Sequence, residues 1–132
     1  MALTSEDRVA IEQLNVRYAH TTDQGDGERF AACFAPDGVF VSSRLGEIAG
    51  AEALADFART AAAAPGAQVR THWVNTVLTD ERADHVAGRC YAMVVEGGAQ
   101  PRIVASVVYE DELVRNGDGD WRFRRRAVRI VG

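Results

Sequence analysis

Residues 102–131 read RIVASVVYEDELVRNGDGDWRFRRRAVRIV. Two runs rich in β-branched and aromatic residues, 102–115 and 120–131, flank Asn116-Gly117-Asp118-Gly119, which is turn chemistry. Upstream, residues 84–96 and 68–79 have the same strand-like character, with turns expected at 97–101 and 80–82. Four long strands joined by short turns make an antiparallel meander.

The half before this meander reads as helical. Thr4 or Ser5 can cap a first helix carrying Glu6 and Asp7 in its first turn, and Ile11, Leu14 and Tyr18 fall on one apolar face. Gly25-Asp26-Gly27 ends it, and a short second helix is expected over residues 28–34. Ala35-Pro36-Asp37-Gly38 reads as a turn releasing Val39-Phe40-Val41 as a strand, with a second short strand at 44–47. Gly50 opens an alanine-rich helix to residue 64, stopped by Pro65-Gly66. This order predicts an α+β fold: a cone-shaped barrel in which a curved, mostly antiparallel sheet wraps around the N-terminal helices. The concave face and the first helix would enclose a pocket. No internal repeat or linker is visible, so residues 1–132 are expected to form a single domain.

Composition narrows the function classes. The chain of 132 residues has a formal net charge of −4 and is 47% hydrophobic, enough for a true core. A pI near 5.3 argues against nucleic acid as a partner. No apolar run is long enough to span a membrane and residues 1–7 are too polar for a secretory signal, so a cytoplasmic location is expected. All 15 basic residues are arginine, which excludes a Schiff-base lysine. Cys33 and Cys90 read as buried thiols rather than a bridge. No glycine-rich phosphate loop precedes a helix and no ligand spacing suggests a metal, so no cofactor is implied; His20, Asp23 and His72 are the one trio that could meet as metal ligands.

Several segments, taken in order, carry a family resemblance. They are Arg17-Tyr18-Ala19 with Asp23, then Phe34-Ala35-Pro36-Asp37-Gly38-Val39, then Thr71-His72-Trp73-Val74-Asn75. Tyr109-Glu110-Asp111-Glu112-Leu113-Val114-Arg115 and Trp121-Arg122-Phe123 with Arg126 complete the set. Together they resemble the SnoaL-like branch of the nuclear transport factor 2-like superfamily, which includes scytalone dehydratase and bile-acid 7α-dehydratase. The resemblance implies that Tyr18, Asp23 and His72 hold the catalytic positions, with Arg126 matching a C-terminal arginine of the bile-acid enzyme. The scytalone enzyme's second histidine and second tyrosine have no secure match here. The steroid-isomerase base and the Asp-x-Arg signature of limonene epoxide hydrolases are also missing.

The chemistry of the trio is coherent on its own terms. A buried Tyr18 hydroxyl can hydrogen-bond a substrate carbonyl and stabilise the enolate formed there. His72 is suited to general-base work near neutral pH, and Asp23 can fix its tautomer. Removal of a proton beside a carbonyl, then loss of β-hydroxide as water, would follow. A double-bond shift or an aldol closure of a polyketide uses the same groups. Each residue also has a plainer reading: Tyr18 as core, Asp23 as turn chemistry, His72 as a structural histidine. Register decides, since one residue of slip exchanges His72 for Trp73.

Phe40, Phe57, Met93 and Val107 are expected to line an apolar pocket for a hydrophobic, carbonyl-bearing, polyketide- or steroid-like substrate. Strand alternation puts Arg122, Arg124 and Arg126 on one face and Arg125 and Arg129 on the other. One arginine reaching inward could anchor a substrate carboxylate or thioester phosphate, and the family resemblance alone implies that it is Arg126. Pairing of the remaining arginines with Glu110-Asp111-Glu112 is the alternative role. His20 should face away from Tyr18, and His85 beside Asp84 should be solvated. The competing overall reading is a non-catalytic binding or dimerising subunit, and a homodimer packed through the sheet is expected in either case.

Overall fold

The computed structural model describes residues 3–82 and 85–131. The expectation for Asp84 and the His85 side chain lies outside the described residues. Helix α1 (Ser5–Gln24) begins at Thr4, whose Oγ1 accepts the Asp7 N–H at 3.0 Å while Asp7 Oδ2 accepts the Thr4 N–H at 3.0 Å. It buries Ile11, Leu14, Asn15, Tyr18, Ala19 and Thr21 and stops at Gly25, which takes φ 65°. Helix α2 (Gly27–Ala31) is shorter than expected because Phe34 already belongs to strand β1 (Phe34–Ser42). Strand β2 (Gly46–Ala49) and helix α3 (Ala51–Ala62) follow, then a 3₁₀ turn, Ala67–Val69.

The expected strand at 68–79 is two strands, β3 (Arg70–Val74) and β4 (Val77–Arg82), and residues 80–82 are strand rather than turn. Both pair with β5 (His85–Glu96), and Asn75 bridges the break, its Oδ1 accepting the Tyr91 N–H at 3.0 Å. β6 (Arg102–Arg115) and β7 (Trp121–Ile130) complete a seven-stranded, curved sheet that does not close. Its order is β2-β1-β7-β6-β5-β3, with β4 also on β5; β1 and β7 are parallel and the remaining pairs antiparallel.

Two irregularities aim the side chains. On β1, Phe34 faces Phe123 but Val39 faces Arg125, so Ala35-Pro36-Asp37-Gly38 is an excursion within a strand and not a turn before one. A Cβ on Gly38 would lie 2.8 Å from both the Ala35 and Phe123 carbonyl oxygens, which is why this position takes glycine. On β7, Phe123 pairs with Leu113 and Arg125 with Glu112, leaving Arg124 as the extra residue. The bulge reverses the alternation, so Arg126 shares the inner face with Phe123, not with Arg124 as simple alternation predicts. Inside the curve, Tyr18, Phe30, Phe34, Phe40, Tyr109 and Phe123 form one buried cluster with Phe57 packed against it. Cys33 and Cys90 are buried free thiols, and burial pushes both above their ordinary value.

Asp7 also ties the start of α1 to the sheet, accepting from Trp121 Nε1 at 3.2 Å and pairing with Arg115. The Thr4 N–H holds the Asp7 carboxyl below its usual range, with smaller help from the Thr4 hydroxyl, Trp121 and Arg115. A depressed carboxylate stabilises the fold above its unfolded pKa and loses that contribution as pH falls through the folded one. Asp7→Ala is therefore expected to melt several degrees lower at neutral pH, with the gap closing below about pH 4. A gap that stays constant across a pH series of melting curves would contradict this assignment.

Candidate active site

A cavity of about 460 Å³ opens between α1, α3 and the concave side of the sheet. Tyr18, Asp23, Phe40, Phe57, His72 and Val107 all line it, joined by Tyr109 and Val128. The register of β3 puts His72 inward and leaves Trp73 59% exposed on the other side. His72 Nδ1 lies 2.6 Å from Asp23 Oδ1, and the backbone N–H of His72 donates to both Asp23 oxygens at 3.2 and 3.1 Å. The carboxylate thus holds strand and ring together. A proton on Nδ1 is the tautomer that satisfies this contact, and it leaves Nε2 as the basic nitrogen. Asp23 comes from the last turn of α1, so the site depends on that helix running one full turn beyond Tyr18.

Tyr18 is 2% exposed, and its ring meets Tyr109 edge-on at 5.3 Å between centroids. Burial, then the neighbouring Tyr109, pushes the Tyr18 phenol well above its ordinary value, against the opposing pull of Arg126. Tyr18 therefore keeps its proton at neutral pH and is a hydrogen-bond donor to whatever oxygen reaches it. Burial raises Tyr109 as well. In the sequence Tyr109 stands out only as part of a motif; its place in the lining follows from pairing with Cys90 in the middle of the sheet.

Two expected binding residues lie elsewhere. Met93 pairs with Trp73 and Ser106 and is 38% exposed on the convex face, because its neighbour Val94 takes the inward position. Arg126 is fully buried behind the cavity wall. Its Nε and Nη2 donate to the two Asp111 oxygens at 2.8 and 2.9 Å, and Nη2 also donates to Asn15 Oδ1 at 2.7 Å. The guanidinium carbon sits 4.4 Å from the Tyr18 ring centre and 4.1 Å from those of Tyr109 and Phe123. Desolvation acts to lower Arg126, but the charge and hydrogen bonds of Asp111 override it and raise it above its ordinary value. Burial pushes Asp111 up while Arg126 pulls it down; the two-point fork is the geometry of a charged pair. Asn15 was missed by sequence reading: its Nδ2 donates to Thr76 at 2.7 Å, linking α1, the β3–β4 break and Arg126. A polar residue amid the apolar face of α1 was the available signal. His20 is exposed and flanks an outer groove between α1 and β3.

A helix-filled, curved α+β sheet enclosing a histidine–aspartate pair and a buried tyrosine defines the class of molecule. The SnoaL-like domain family's model matches residues 3–127, and the chain belongs to that family. Among solved structures it is similar to Rv3472 from Mycobacterium tuberculosis, a protein of unknown function (30% identity, 94% of this chain and 71% of that one, TM-score 0.78). It is also similar to Aln2 from a Streptomyces species (29% identity, 98% and 94% covered, TM-score 0.81). ActVI-ORFA from Streptomyces coelicolor shares the fold at 22% identity, with 93% and 96% covered and a TM-score of 0.81. No curated protein matches the chain. No helix among the described residues is long and apolar enough to cross a membrane.

Proposed function

We propose that the protein is a cofactor-independent lyase or isomerase that removes a proton beside the carbonyl of a hydrophobic small molecule. The observation that carries this reading is the 2.6 Å contact of His72 Nδ1 with Asp23 inside a cavity that Tyr18 also lines. His72 Nε2 takes the α-proton, and the C–H electron pair moves into an enolate whose oxygen accepts a hydrogen bond from Tyr18. Asp23 stabilises the imidazolium that forms. When the substrate bears a β-hydroxyl, the enolate expels it and the imidazolium supplies the proton that makes it water. The family includes polyketide cyclases, dehydratases and isomerases, and the same first step serves all three.

The test is proton exchange. Aromatic β-hydroxyketones incubated with the protein in D₂O are expected to exchange their α-protons by NMR and to develop the absorbance of the enone. Absence of exchange across such a panel, or exchange that persists in His72→Ala, would remove the reading.

The second reading, a dimerising binding subunit, has support of its own. Trp73, Tyr91 and Met93 are 59%, 47% and 38% exposed on the convex face, a row of large apolar groups on a sheet surface. A second copy packed there would cover them, which is compatible with catalysis as well as with binding alone. Sedimentation is expected to give a dimer at micromolar concentration that Trp73→Glu converts to monomer; a wild-type monomer would sink the dimer.

A further inference from the structure

The cavity carries two cations that the proposed chemistry does not use. Arg44 and Arg70 line it alongside Ser42, Asp23 and His72. Arg70 opens β3 two residues before His72 and on the same face, which puts their Cα atoms about 7 Å apart. Its side chain is 40% exposed, so it stands at the mouth of the cavity. Even so, its Nε is buried and has no hydrogen-bond partner among the described residues. The facing carboxylate, Glu96, is 3.6 Å from that nitrogen, beyond good hydrogen-bond distance. Glu96 is shared: Arg102 Nε and Nη2 donate to its Oε1 at 3.2 and 3.1 Å, while its Oε2 is the oxygen that faces Arg70. One carboxylate thus stands between two guanidinium groups, and a positive charge is left over at this end. Arg44, in the turn between β1 and β2, takes part in none of the ion pairs among the described residues. Its backbone N–H donates to Ser42 Oγ at 3.2 Å, a local bond that shapes the turn.

We propose that Arg70, assisted by Arg44, is the subsite for a carboxylate carried by the substrate, so that the protein takes an aromatic or polycyclic acid in preference to a neutral compound. A carboxylate can take an arginine end-on through its two Nη groups, and the exposed part of Arg70 stands at the cavity mouth while its buried Nε faces Glu96. The aromatic remainder of the substrate then lies against Phe40, Phe57 and Tyr109. The inference rests on the reading above, since it names the substrate class of the same cavity, but it uses different residues. Arg126, the arginine that the sequence nominated for this task, is engaged by Asp111 and Asn15.

The experiment compares 2-naphthoate with its uncharged isostere 2-naphthamide by titration calorimetry. Wild type is expected to bind naphthoate about tenfold more tightly, the scale of one charge-assisted hydrogen-bonded contact. Arg70→Gln is expected to bring the two probes within about twofold of each other, and Arg44→Gln to lose about threefold of the preference, as a more exposed charge should. Arg124→Gln removes an equal charge from an exposed position outside the cavity and is expected to leave the preference unchanged. If Arg70→Gln does not fold, the Arg44→Gln result decides. Equal affinities in wild type, no naphthoate binding at millimolar concentration, or a preference that survives both substitutions would overturn the proposal. The two readings fail separately: anion preference without proton exchange keeps the subsite and removes the chemistry, whereas exchange on neutral ketones without anion preference does the reverse.

Discussion

Arg126→Met is expected to lower the melting temperature by roughly 10–20 °C, the consequence of about 3–5 kcal/mol lost when a buried pair is broken from one side. The cost arises from what is left behind. Asp111 is 5% exposed, and both of its oxygens are met by Arg126, so the variant leaves a buried carboxylate without its partner. Asn15 Oδ1 loses its donor at the same time, and three aromatic rings lose the cation packed between them. Replacing both partners by apolar groups, Arg126→Met with Asp111→Leu, is expected to recover most of the loss, because an apolar pair leaves no charge stranded. Thermal unfolding followed by circular dichroism makes the comparison. A single variant that melts within about 3 °C of wild type would show that Asp111 finds another partner or takes up a proton at small cost.

That ion pair also shows where sequence reading stops. The meander, the caps of α1 and the helix–helix–strand–helix order were legible because they rest on local chemistry: Thr4 and Asp7, the Gly25 stop, and runs of β-branched residues between glycine-rich turns. The inward direction of His72 was legible as one of two registers, and the structure selects it over Trp73. The direction of Arg126 was not legible from alternation, because a single unpaired residue, Arg124, changes the parity of every side chain after it. Met93 was misjudged for a related reason: its strand is apolar on both faces, so hydrophobicity does not say which face is concave. Arg44 and Arg70 escaped notice because neither belongs to a motif. They matter only through the fold, which brings the β1–β2 turn and the first residue of β3 to the same cavity mouth.

The geometry gives the cavity a division of labour. Tyr18 and Tyr109 pack over the Arg126 guanidinium, which Asp111 and Asn15 hold in place; on the proposed chemistry Arg126 would position the two phenols without meeting substrate. Deep burial keeps Tyr18 protonated, and it lines the cavity, where the proposed reaction would use it as a donor to a carbonyl. Under the proposed reaction that packing would matter, because a donor helps an enolate most when it is already oriented before charge develops.

Asp23→Asn is expected to reduce proton exchange by up to about 10⁴-fold with little change in the affinity of the cavity for ligand. An asparagine at this position can still accept the backbone N–H of His72 through its amide oxygen, so β3 stays in place. Its NH₂ group then faces Nδ1 and donates to it. That contact selects the tautomer with the proton on Nε2, and the nitrogen that should take the substrate's proton is no longer basic. The imidazolium also loses its counter-charge 2.6 Å away. His72→Ala removes the base outright, for a loss of about 10²–10⁴-fold. Because the two residues act as one unit, the double variant should be little slower than the more damaging single variant. Additive losses, or an Asp23→Asn variant that exchanges at the wild-type rate, would mean that the contact holds β3 against α1 and nothing more. The binding reading makes a different prediction for the same proteins: neither substitution touches a reaction, and any effect appears in affinity and stability together.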